Sequence, residues 1–459
     1  MYNIQFNQPC HVHFMGIGGI SMSGLAEILL NAGFTVSGSD QNASSITEHL
    51  KSLGAAIQIG QRKENINDSI DLIVYTAAIS KENEEYVAAC EKQIPMLSRA
   101  ELLGQLMTNY ETPIAISGTH GKTTTTSMLT HILLAAGSDP TISVGGILKA
   151  IGGNIRVGTS PVFVTEACEY TNSFLSFFPK ISVILNVEED HLDFFSGIEE
   201  ITESFHQFAK KLPENGLLVI NGDIPTKDAI LKNLSCRIKT YGTLKENDYY
   251  PSNITYDEMG NSSFDLFSGE EPIGHFILKV AGEHNIYNAI SAILVAKELG
   301  ITNEQINDGF STFFGTNRRF EYKGDLCGVH VVDDYAHHPT EIQATLNAAS
   351  RYPHKELWCV FQPHTYSRTK AFLDDFAKVL SQADHVVLAD IYAAREVDTG
   401  EISSKDLAEK IATYGTDVHY FPSFDEIENF LLTNCKKNDL LITMGAGNVV
   451  NIGESLLNL

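Results

Sequence analysis

The stretch best suited to chemistry is a glycine turn followed by lysine and threonine, within TPIAISGTHGKTTTTSMLTHILLAAG at residues 112–137. Apolar residues before the turn predict a buried strand, and apolar residues at helical spacing after it predict a helix. The N–H groups and dipole of such a helix N-terminus attract phosphate, which predicts Lys122 on the β- and γ-phosphates and Thr123 on Mg²⁺. Because Ile116 stands where the general pattern has glycine, the loop is tighter than usual. The residues expected to bind the nucleotide are Gly118, Thr119, His120, Gly121, Lys122, Thr123 and Thr124.

Two further strands are expected to carry metal ligands to the same sheet edge. Residues 162–165 predict a strand whose carboxyl end delivers Glu166, a position from which a carboxylate can hold Mg²⁺. Glu169 is the alternative ligand. His191 follows the predicted strand 181–185, where it would hold a second metal or contact phosphate oxygens. A lone histidine there is equally consistent with a surface residue.

A second glycine turn, GIGGIS at residues 16–21, lies between a predicted strand and a predicted helix near the start of the chain. Glycines at such a turn let the backbone approach a pyrophosphate, and Asp40, after the next strand, is placed to reach a ribose hydroxyl. Ser21 stands where the dinucleotide pattern has its third glycine, so the pattern also fits a plain strand-turn-helix. We expect the pyrophosphate of a ligand at Gly16, Gly18, Gly19 and Ser21.

The last segment predicts another parallel sheet, because four apolar strands each end on polar or glycine residues. Arg319 is a candidate clamp on a transferring phosphate, whereas its neighbour Arg318 is expected to be a solvated surface residue. Residues 334–338, DYAHH, place several titratable groups at one strand end. Upstream, Asn288 could offer its amide to an adenine edge.

Composition narrows the class of protein. The 459 residues suggest two to four domains. A net charge of -25 argues against nucleic acid or an anionic membrane as a partner. The 7 cysteines are scattered without a C-x-x-C pair, which is typical of reduced thiols, and there is no apolar run of membrane-spanning length. We therefore expect a cytoplasmic protein, and a monomer or weak homodimer.

Seven motifs occur in the order GIGGI, GTHGKTTTT, EDHLD, GEHN, RRFE, DDYAHHPTE and QPHTYSR. Together they resemble the Mur ligases over nearly the whole chain, most closely the members that join L-alanine to UDP-N-acetylmuramate. The resemblance implies an α/β protein of three domains. It predicts an N-terminal Rossmann-like domain for the UDP-sugar (1–109), a central P-loop-type ATPase domain with a mostly parallel sheet (110–315), and a C-terminal Rossmann-like domain for the amino acid (316–459).

The resemblance further implies that ATP and Mg²⁺ activate the lactyl carboxylate as an acyl phosphate, which the alanine amine then attacks. Its catalytic residues would be Lys122, Glu166, His191, Arg319 and His337, with metal ligands at Thr123, Glu166 and His191. It adds Asn285, Asn288 and Asp334 to the ATP site, Arg368 to the UDP-sugar site, and Tyr335 and His337 to the amino-acid site. His337 is a candidate base for the amine, while His338 is expected to be structural.

Two departures from the family pattern stand out: Cys168 occupies a position that is acidic in many members, and residues 203–206, ESFH, lack the lysine that several members carbamylate. Three alternatives remain open at this stage. They are a related ligase that adds a peptide to UDP-N-acetylmuramate in cell-wall recycling, a nicotinamide-dependent dehydrogenase built on the first glycine turn, and a non-catalytic nucleotide-gated switch or binding module.

Overall fold

The computed structural model describes residues 3–76, 78–394 and 396–459. The chain forms two compact units, and each is described by itself. The first consists of Met1–Val187, Glu199–Tyr241 and Ser291–Gly309, and the second of Glu188–Ile198, Gly242–Ile290 and Phe310–Leu459. The predicted domain boundaries after residues 109 and 315 remain predictions.

The first unit begins with a parallel five-stranded sheet in the order β3-β2-β1-β4-β5. Its strands are β1 (His11–Met15), β2 (Thr35–Asp40), β3 (Ala56–Ile59), β4 (Leu72–Tyr75) and β5 (Met96–Ser98). Its helices are α1 (Ile20–Asn31), α2 (Ser45–Ser52), α3 (Glu84–Glu91) and α4 (Arg99–Met107). Strand β1 is central, and its inner residues Val12, His13 and Phe14 are all fully buried, which suits a strand with neighbours on both sides.

A seven-stranded sheet follows in the same unit, in the order β12-β11-β10-β6-β9-β7-β8. Only β8 pairs antiparallel, with β7, at one edge. The strands are β6 (Thr112–Ser117), β7 (Thr141–Leu148), β8 (Gly153–Arg156), β9 (Val162–Ala167), β10 (Ile181–Ile184), β11 (Leu217–Asn221) and β12 (Arg237–Tyr241). The helices are α5 (Lys122–Ala135), α6 (Ile198–Ala209) and α7 (Lys227–Leu231).

The second unit contains an antiparallel three-stranded sheet, β13-β14-β15. Two helices follow along the chain; the first begins in the second unit and continues into the first from Ser291, and the second lies mostly in the first unit. These elements are β13 (Tyr250–Tyr256), β14 (Asn261–Ser268), β15 (Glu271–Ala281), α8 (His284–Glu298) and α9 (Asn303–Ser311). Turn residues within 241–279 predict a β-rich insertion, and this sheet confirms that prediction.

The second unit ends in a six-stranded sheet in the order β16-β17-β21-β18-β19-β20, parallel except for the edge strand β16. The strands are β16 (Glu321–Leu326), β17 (Val329–Asp334), β18 (Leu357–Phe361), β19 (His385–Leu388), β20 (Asp417–Tyr420) and β21 (Leu440–Met444). The helices are α10 (Pro339–Ala349), α11 (Tyr366–Ala371), α12 (Leu373–Leu380), α13 (Ser404–Ala412), α14 (Phe424–Asn434) and α15 (Val450–Leu457).

The predicted α/β class with mostly parallel sheets is confirmed. Strand ends differ from the expectation in several places: β10 ends at Ile184, one residue early, whereas β2 extends to Asp40 and β9 extends to Ala167, so Asp40 and Glu166 lie inside strands. Each extension follows a parallel neighbour whose register continues that far. In the described part of the chain, no helix combines the length and apolar character needed to cross a membrane.

Candidate active site

The turn between β6 and α5 has the geometry of a phosphate loop. Gly118 has φ of +140° and Gly121 has φ of +83°, both in the region that favours glycine. A Cβ on Gly118 would lie 2.9 Å from Leu185 Cβ, so a larger residue would also clash. Helix α5 begins directly at Lys122, which directs the N–H groups of its first turn toward the loop.

Asn186, just after β10, stabilises this loop through three hydrogen bonds. Its Oδ1 accepts the His120 N–H at 2.7 Å, and its Nδ2 donates to the His120 carbonyl at 3.1 Å. Its own carbonyl accepts the Thr119 N–H at 3.2 Å. Asn186 was not among the predicted site residues, although a polar side chain directly after a predicted strand of the same sheet is a usable signal.

Lys122 is held by backbone carbonyls and by a buried carboxylate. Its Nζ donates to the Gly118 carbonyl, to the Thr119 carbonyl at 3.1 Å, and to Glu169 Oε2 at 3.0 Å. Burial alone would lower the pKa of Lys122, but Glu169, followed by Cys168 and Glu166, raises that pKa above its ordinary value. The loop therefore holds a permanent cation.

Glu166 and Thr123 form a pair of oxygen donors beside the loop. The β6–β9 register sets Ile116 opposite Glu166, and the Thr123 hydroxyl donates to Glu166 Oε2 at 3.1 Å. Gly145 N–H donates to the other carboxylate oxygen at 2.6 Å. Hard oxygen donors of this kind fit Mg²⁺. Since Glu169 pairs with Lys122, Glu166 remains the candidate metal ligand.

The first glycine turn is braced from β2. Gly16 has φ of +81°, and the N–H groups of Gly16 and Ile17 donate to the Ser39 carbonyl at 2.9 and 3.0 Å. Gly18 N–H donates to Asp40 Oδ2 at 2.9 Å. Asp40 thus orders the turn, a role in addition to the ribose contact that the sequence predicts for it.

The remaining residues predicted at this turn begin helix α1. Gly19 is the N-cap of α1 with extended backbone, and no side chain caps the helix there. Ser21 Oγ accepts a hydrogen bond from Arg99 Nη1 at 3.1 Å. The first turn of α1 thus presents N–H groups for an anion, as a pyrophosphate site requires.

In the second unit, Asp334 shapes the turn after β17. Its Oδ2 accepts the Phe320 N–H and its Oδ1 accepts the Ala336 N–H, both at 2.7 Å. Burial raises the pKa of Asp334 to about 6, against the opposing charge of Arg319. This arrangement is structural, and the predicted ATP contact of Asp334 remains a prediction.

The two neighbouring arginines have different surroundings. Arg318 donates to Asp333 Oδ2 at 2.9 Å and to the carbonyls of Gly445 and Gly447 at 2.7 and 3.0 Å. The expectation that Arg318 is a solvated surface residue is therefore wrong, because a carboxylate of β17 and two carbonyls of the turn after β21 accept its hydrogen bonds. Arg319 donates to Glu341 at 3.3 Å. Its predicted role as a clamp on the transferring phosphate remains a prediction.

The adjacent histidines also differ. His337 Nδ1 lies 3.0 Å from the Tyr335 carbonyl and 3.1 Å from Glu341 Oε2. Because both neighbours are acceptors, Nδ1 carries the proton of the neutral ring and Nε2 keeps the lone pair that a base needs. His338 Nδ1 instead accepts the Thr340 N–H at 3.3 Å and caps α10, as expected of a structural residue.

Arg368 and His191 both contact Asp190 within the second unit. Arg368 Nη2 donates to Asp190 Oδ1 at 2.7 Å, and His191 Nε2 lies 3.9 Å from Asp190 Oδ2. Burial alone would raise the pKa of Asp190, but Arg368 and then His191 hold that pKa well below its usual range. The predicted UDP-sugar contact of Arg368 and metal contact of His191 remain predictions.

Two residues expected in the ATP site, Asn285 and the candidate adenine contact Asn288, lie on the first turns of α8. Asn288 Nδ2 donates to Asn285 Oδ1 at 3.1 Å, and Asn285 Nδ2 donates to the Ala281 carbonyl at 2.7 Å. Both residues are buried.

Comparison with known proteins decides the family. Three family models match in order: "Mur ligase family, catalytic domain" over 11–111, "Mur ligase middle domain" over 116–296 and "Mur ligase, glutamate ligase domain" over 318–447. The chain is 57% identical over 457 residues to the UDP-N-acetylmuramate–L-alanine ligase of Agathobacter rectalis, covering 100% of both chains. The chain belongs to the Mur ligase family. It is therefore an ATP-dependent ligase, contrary to the dehydrogenase and binding-module alternatives.

Solved structures of Mur ligases share the fold over nearly the full length. The UDP-N-acetylmuramate-alanine ligase of Thermotoga maritima has a TM-score of 0.79 at 26% identity, with 98% of each chain covered. A murein peptide ligase from Psychrobacter arcticus has a TM-score of 0.68, also at 26% identity and 98% coverage of each chain. The three-domain Mur ligase fold predicted from the sequence is confirmed.

Proposed function

We propose that this protein joins L-alanine to the lactyl carboxylate of UDP-N-acetylmuramate at the expense of ATP, a step of peptidoglycan precursor synthesis. The observation that carries the proposal is the 57% identity, over the full length of both chains, to a UDP-N-acetylmuramate–L-alanine ligase. The phosphate loop around Lys122 supports it, because phosphoryl transfer chiefly requires positioned positive charge.

The chemistry proceeds in two steps. A lactyl carboxylate oxygen attacks the γ-phosphorus of ATP and ADP leaves, which yields an acyl phosphate. The alanine amine then attacks the acyl carbon, inorganic phosphate leaves, and the amine gives up a proton. Lys122, with Arg319, offsets the repulsion between two anions in the first step, and His337 Nε2 accepts the proton in the second.

The metal assignment is part of the proposal. Thr123 and Glu166 would hold Mg²⁺, whose charge would neutralise the β- and γ-phosphates, and His191 would hold a second ion. The supporting observation is the 3.1 Å pair of oxygen donors. Thr123→Val should raise the Mg²⁺ concentration needed for half-maximal turnover, whereas Thr123→Ser, which keeps the hydroxyl, should not.

The UDP-sugar would bind at the glycine turn of residues 16–21, braced by Asp40, and the amino acid beside Tyr335 and His337. We place the enzyme in the cytoplasm, where ATP and sugar nucleotides are found, and expect a monomer or weak homodimer. Sedimentation at micromolar concentration would measure the oligomeric state.

The substrate assignment is tested by phosphate release from ATP with UDP-N-acetylmuramate and one of L-alanine, glycine, L-serine or a cell-wall tripeptide. L-Alanine should give the highest kcat/KM. Faster turnover with the tripeptide would contradict the assignment and favour the peptide-adding recycling ligase. No amino-acid-dependent release with any of them would contradict ligase activity on this acceptor.

A further inference from the structure

A half-buried arginine, Arg99, lies beside the first glycine turn. It is the first residue of α4, and its Nη1 donates to the Ser21 hydroxyl at 3.1 Å. Ser21 belongs to the first turn of α1, directly after the turn that we assign to the sugar nucleotide. Arg99 is therefore close to the acceptor site, and all of these residues belong to the first compact unit.

The Arg99 guanidinium has no carboxylate partner among the described residues, and its one hydrogen bond there goes to a neutral hydroxyl. Other arginines of the chain pair with acids, namely Arg156, Arg237, Arg318, Arg319, Arg351 and Arg368. Burial lowers the pKa of Arg99, which reflects the cost of a cation that is removed from water without an anion. A bound anion would offset this cost.

The free edge of the guanidinium suits an oxyanion. Ser21 occupies Nη1, and no acceptor of the described chain is bonded to Nε or Nη2 of Arg99. These two groups form the fork that binds carboxylate or phosphate through two parallel hydrogen bonds. A site that holds only water does not require two parallel donors, and a lysine side chain could not form this fork.

Cys168 lies near both Arg99 and Lys122. Cys168 lies in sequence between Glu166 and Glu169, the carboxylates that contact Thr123 and Lys122. An acceptor that extends from the glycine turn toward the γ-phosphate must pass this region.

We propose that Arg99 binds an oxyanion of the sugar-nucleotide acceptor through its Nε and Nη2 groups. The inference rests on the proposed function, since it assumes that the acceptor occupies the first glycine turn. Two groups of the acceptor share the required chemistry: the lactyl carboxylate that receives the phosphoryl group and the pyrophosphate. Arg99 thereby adds a specificity residue to the proposed sugar-nucleotide site.

The test compares Arg99→Met with wild type by calorimetric titration of UDP-N-acetylmuramate, of UDP-N-acetylglucosamine, which lacks the lactyl group, and of ATP. Arg237→Met is the matched control. Arg237 lies on the edge strand β12, its side chain is 56% exposed, and it pairs with Glu298 of α8. Arg99→Met should lower the affinity for UDP-N-acetylmuramate by about 10- to 100-fold, the range expected for the loss of a hydrogen bond to a charged group. ATP binding should not change, and the control should bind all three ligands normally.

The second sugar nucleotide identifies the oxyanion. Loss confined to UDP-N-acetylmuramate identifies the carboxylate, whereas equal loss for both identifies the pyrophosphate. Unchanged affinity for UDP-N-acetylmuramate in Arg99→Met would overturn the inference. If wild type does not bind UDP-N-acetylmuramate, the proposed function itself fails.

A conservative variant separates binding from folding. Arg99→Lys keeps the positive charge and loses the fork, so its affinity for UDP-N-acetylmuramate should lie between those of wild type and Arg99→Met. Thermal unfolding is measured for each variant. If Arg99→Met does not fold, Arg99→Lys carries the test, and wild-type affinity in that folded variant would overturn the inference.

Discussion

At the scale of single residues, the buried pair of Lys122 and Glu169 combines stability with chemistry. The side chains are 15% and 3% exposed, so neither charge is well solvated. Removal of one partner leaves the other as an uncompensated buried charge. The same lysine also supplies the positive charge that phosphoryl transfer requires, so a variant reports on both properties.

Lys122→Met is expected to lower kcat/KM by about 10²-fold or more, the cost of losing one preorganised electrostatic contact. The free energy of unfolding should fall by about 3 to 5 kcal/mol, because Glu169 remains buried without its cation. The double variant Lys122→Met/Glu169→Gln should recover part of the stability and none of the activity. Turnover close to wild type in the single variant would remove Lys122 from the mechanism.

His337→Ala is expected to spare acyl-phosphate formation and slow amide formation by about 10²- to 10⁴-fold, the usual contribution of a general base. Borohydride trapping measures the intermediate, and product analysis measures the amide. His338→Asn is the matched control, since asparagine also caps helices and should keep the wild-type rate. A His337→Ala enzyme that binds both nucleotides but yields no trappable intermediate would contradict the assignment.

The sequence predicted the residues whose type alone carries chemistry, such as Lys122, Thr123 and Glu166. It could not predict that Glu169 pairs with Lys122 or that Glu341 orients His337. Those contacts depend on side-chain directions and on packing that residue spacing does not determine. For Asn186 the prediction was partial: the strand that precedes it was predicted, but its hydrogen bonds to the phosphate loop were not.

At the scale of elements, the first glycine turn depends on close contact with β2. A Cβ on Gly18 would lie 2.8 Å from Asp40 Oδ2, so a side chain there must displace the brace. The pattern GIGGIS predicted the turn and its two flanking elements. The hydrogen bond from Gly18 to Asp40 was not predictable, because β2 continues further than its apolar residues indicate.

Gly18→Val should raise the KM for UDP-N-acetylmuramate at least about tenfold, because loss of the charge-assisted hydrogen bond to Asp40 costs roughly 1.5 to 3 kcal/mol. ATP affinity should remain normal, since the phosphate loop is a separate turn. Gly153→Ala is the control, because a Cβ there meets open space. Equal weakening of both ligands would show that the substitution disturbs the fold or that the site assignment is wrong.

Strand β1 contains a histidine that should make stability depend on pH. His13 is 0% exposed, and burial, followed by His11, lowers the pKa of His13 from 6.5 to about 4. As pH falls, His13 therefore becomes protonated near pH 6.5 in the unfolded chain, but only near pH 4 in the folded chain. The stabilising contribution is present above pH 6.5 and is lost as pH falls toward 4. Buried Glu85, whose pKa is raised, acts in the opposite direction.

A comparison with His13→Asn measures the histidine together with its coupling to Glu85, because the variant keeps the acid, which lies 3.9 Å from His13 Nε2. Between pH 6.5 and pH 5, wild type should lose about 1 to 2 kcal/mol more stability than the variant, at roughly 1.4 kcal/mol per pH unit for one group. Urea unfolding at both pH values measures the difference. Parallel stability curves would contradict the assignment.

At the scale of the whole molecule, alternating strand and helix patterns predicted the parallel α/β sheets, since such sheets require helices between strands. The antiparallel edge strands β8 and β16 were not predictable, because neither contains a continuous apolar run. The family resemblance, not the patterns, predicted the substrates. The central claim is therefore a chemical one, namely that the lactyl carboxylate is activated as an acyl phosphate.

The most direct test of that claim follows one oxygen atom. UDP-N-acetylmuramate labelled with ¹⁸O in its lactyl carboxylate is incubated with ATP, Mg²⁺ and L-alanine, and the phosphate that is released is analysed by mass spectrometry. Because a carboxylate oxygen attacks the γ-phosphorus and later leaves with it, each molecule of phosphate should carry one ¹⁸O atom from the carboxylate. Unlabelled phosphate, or label in AMP, would contradict activation through an acyl phosphate.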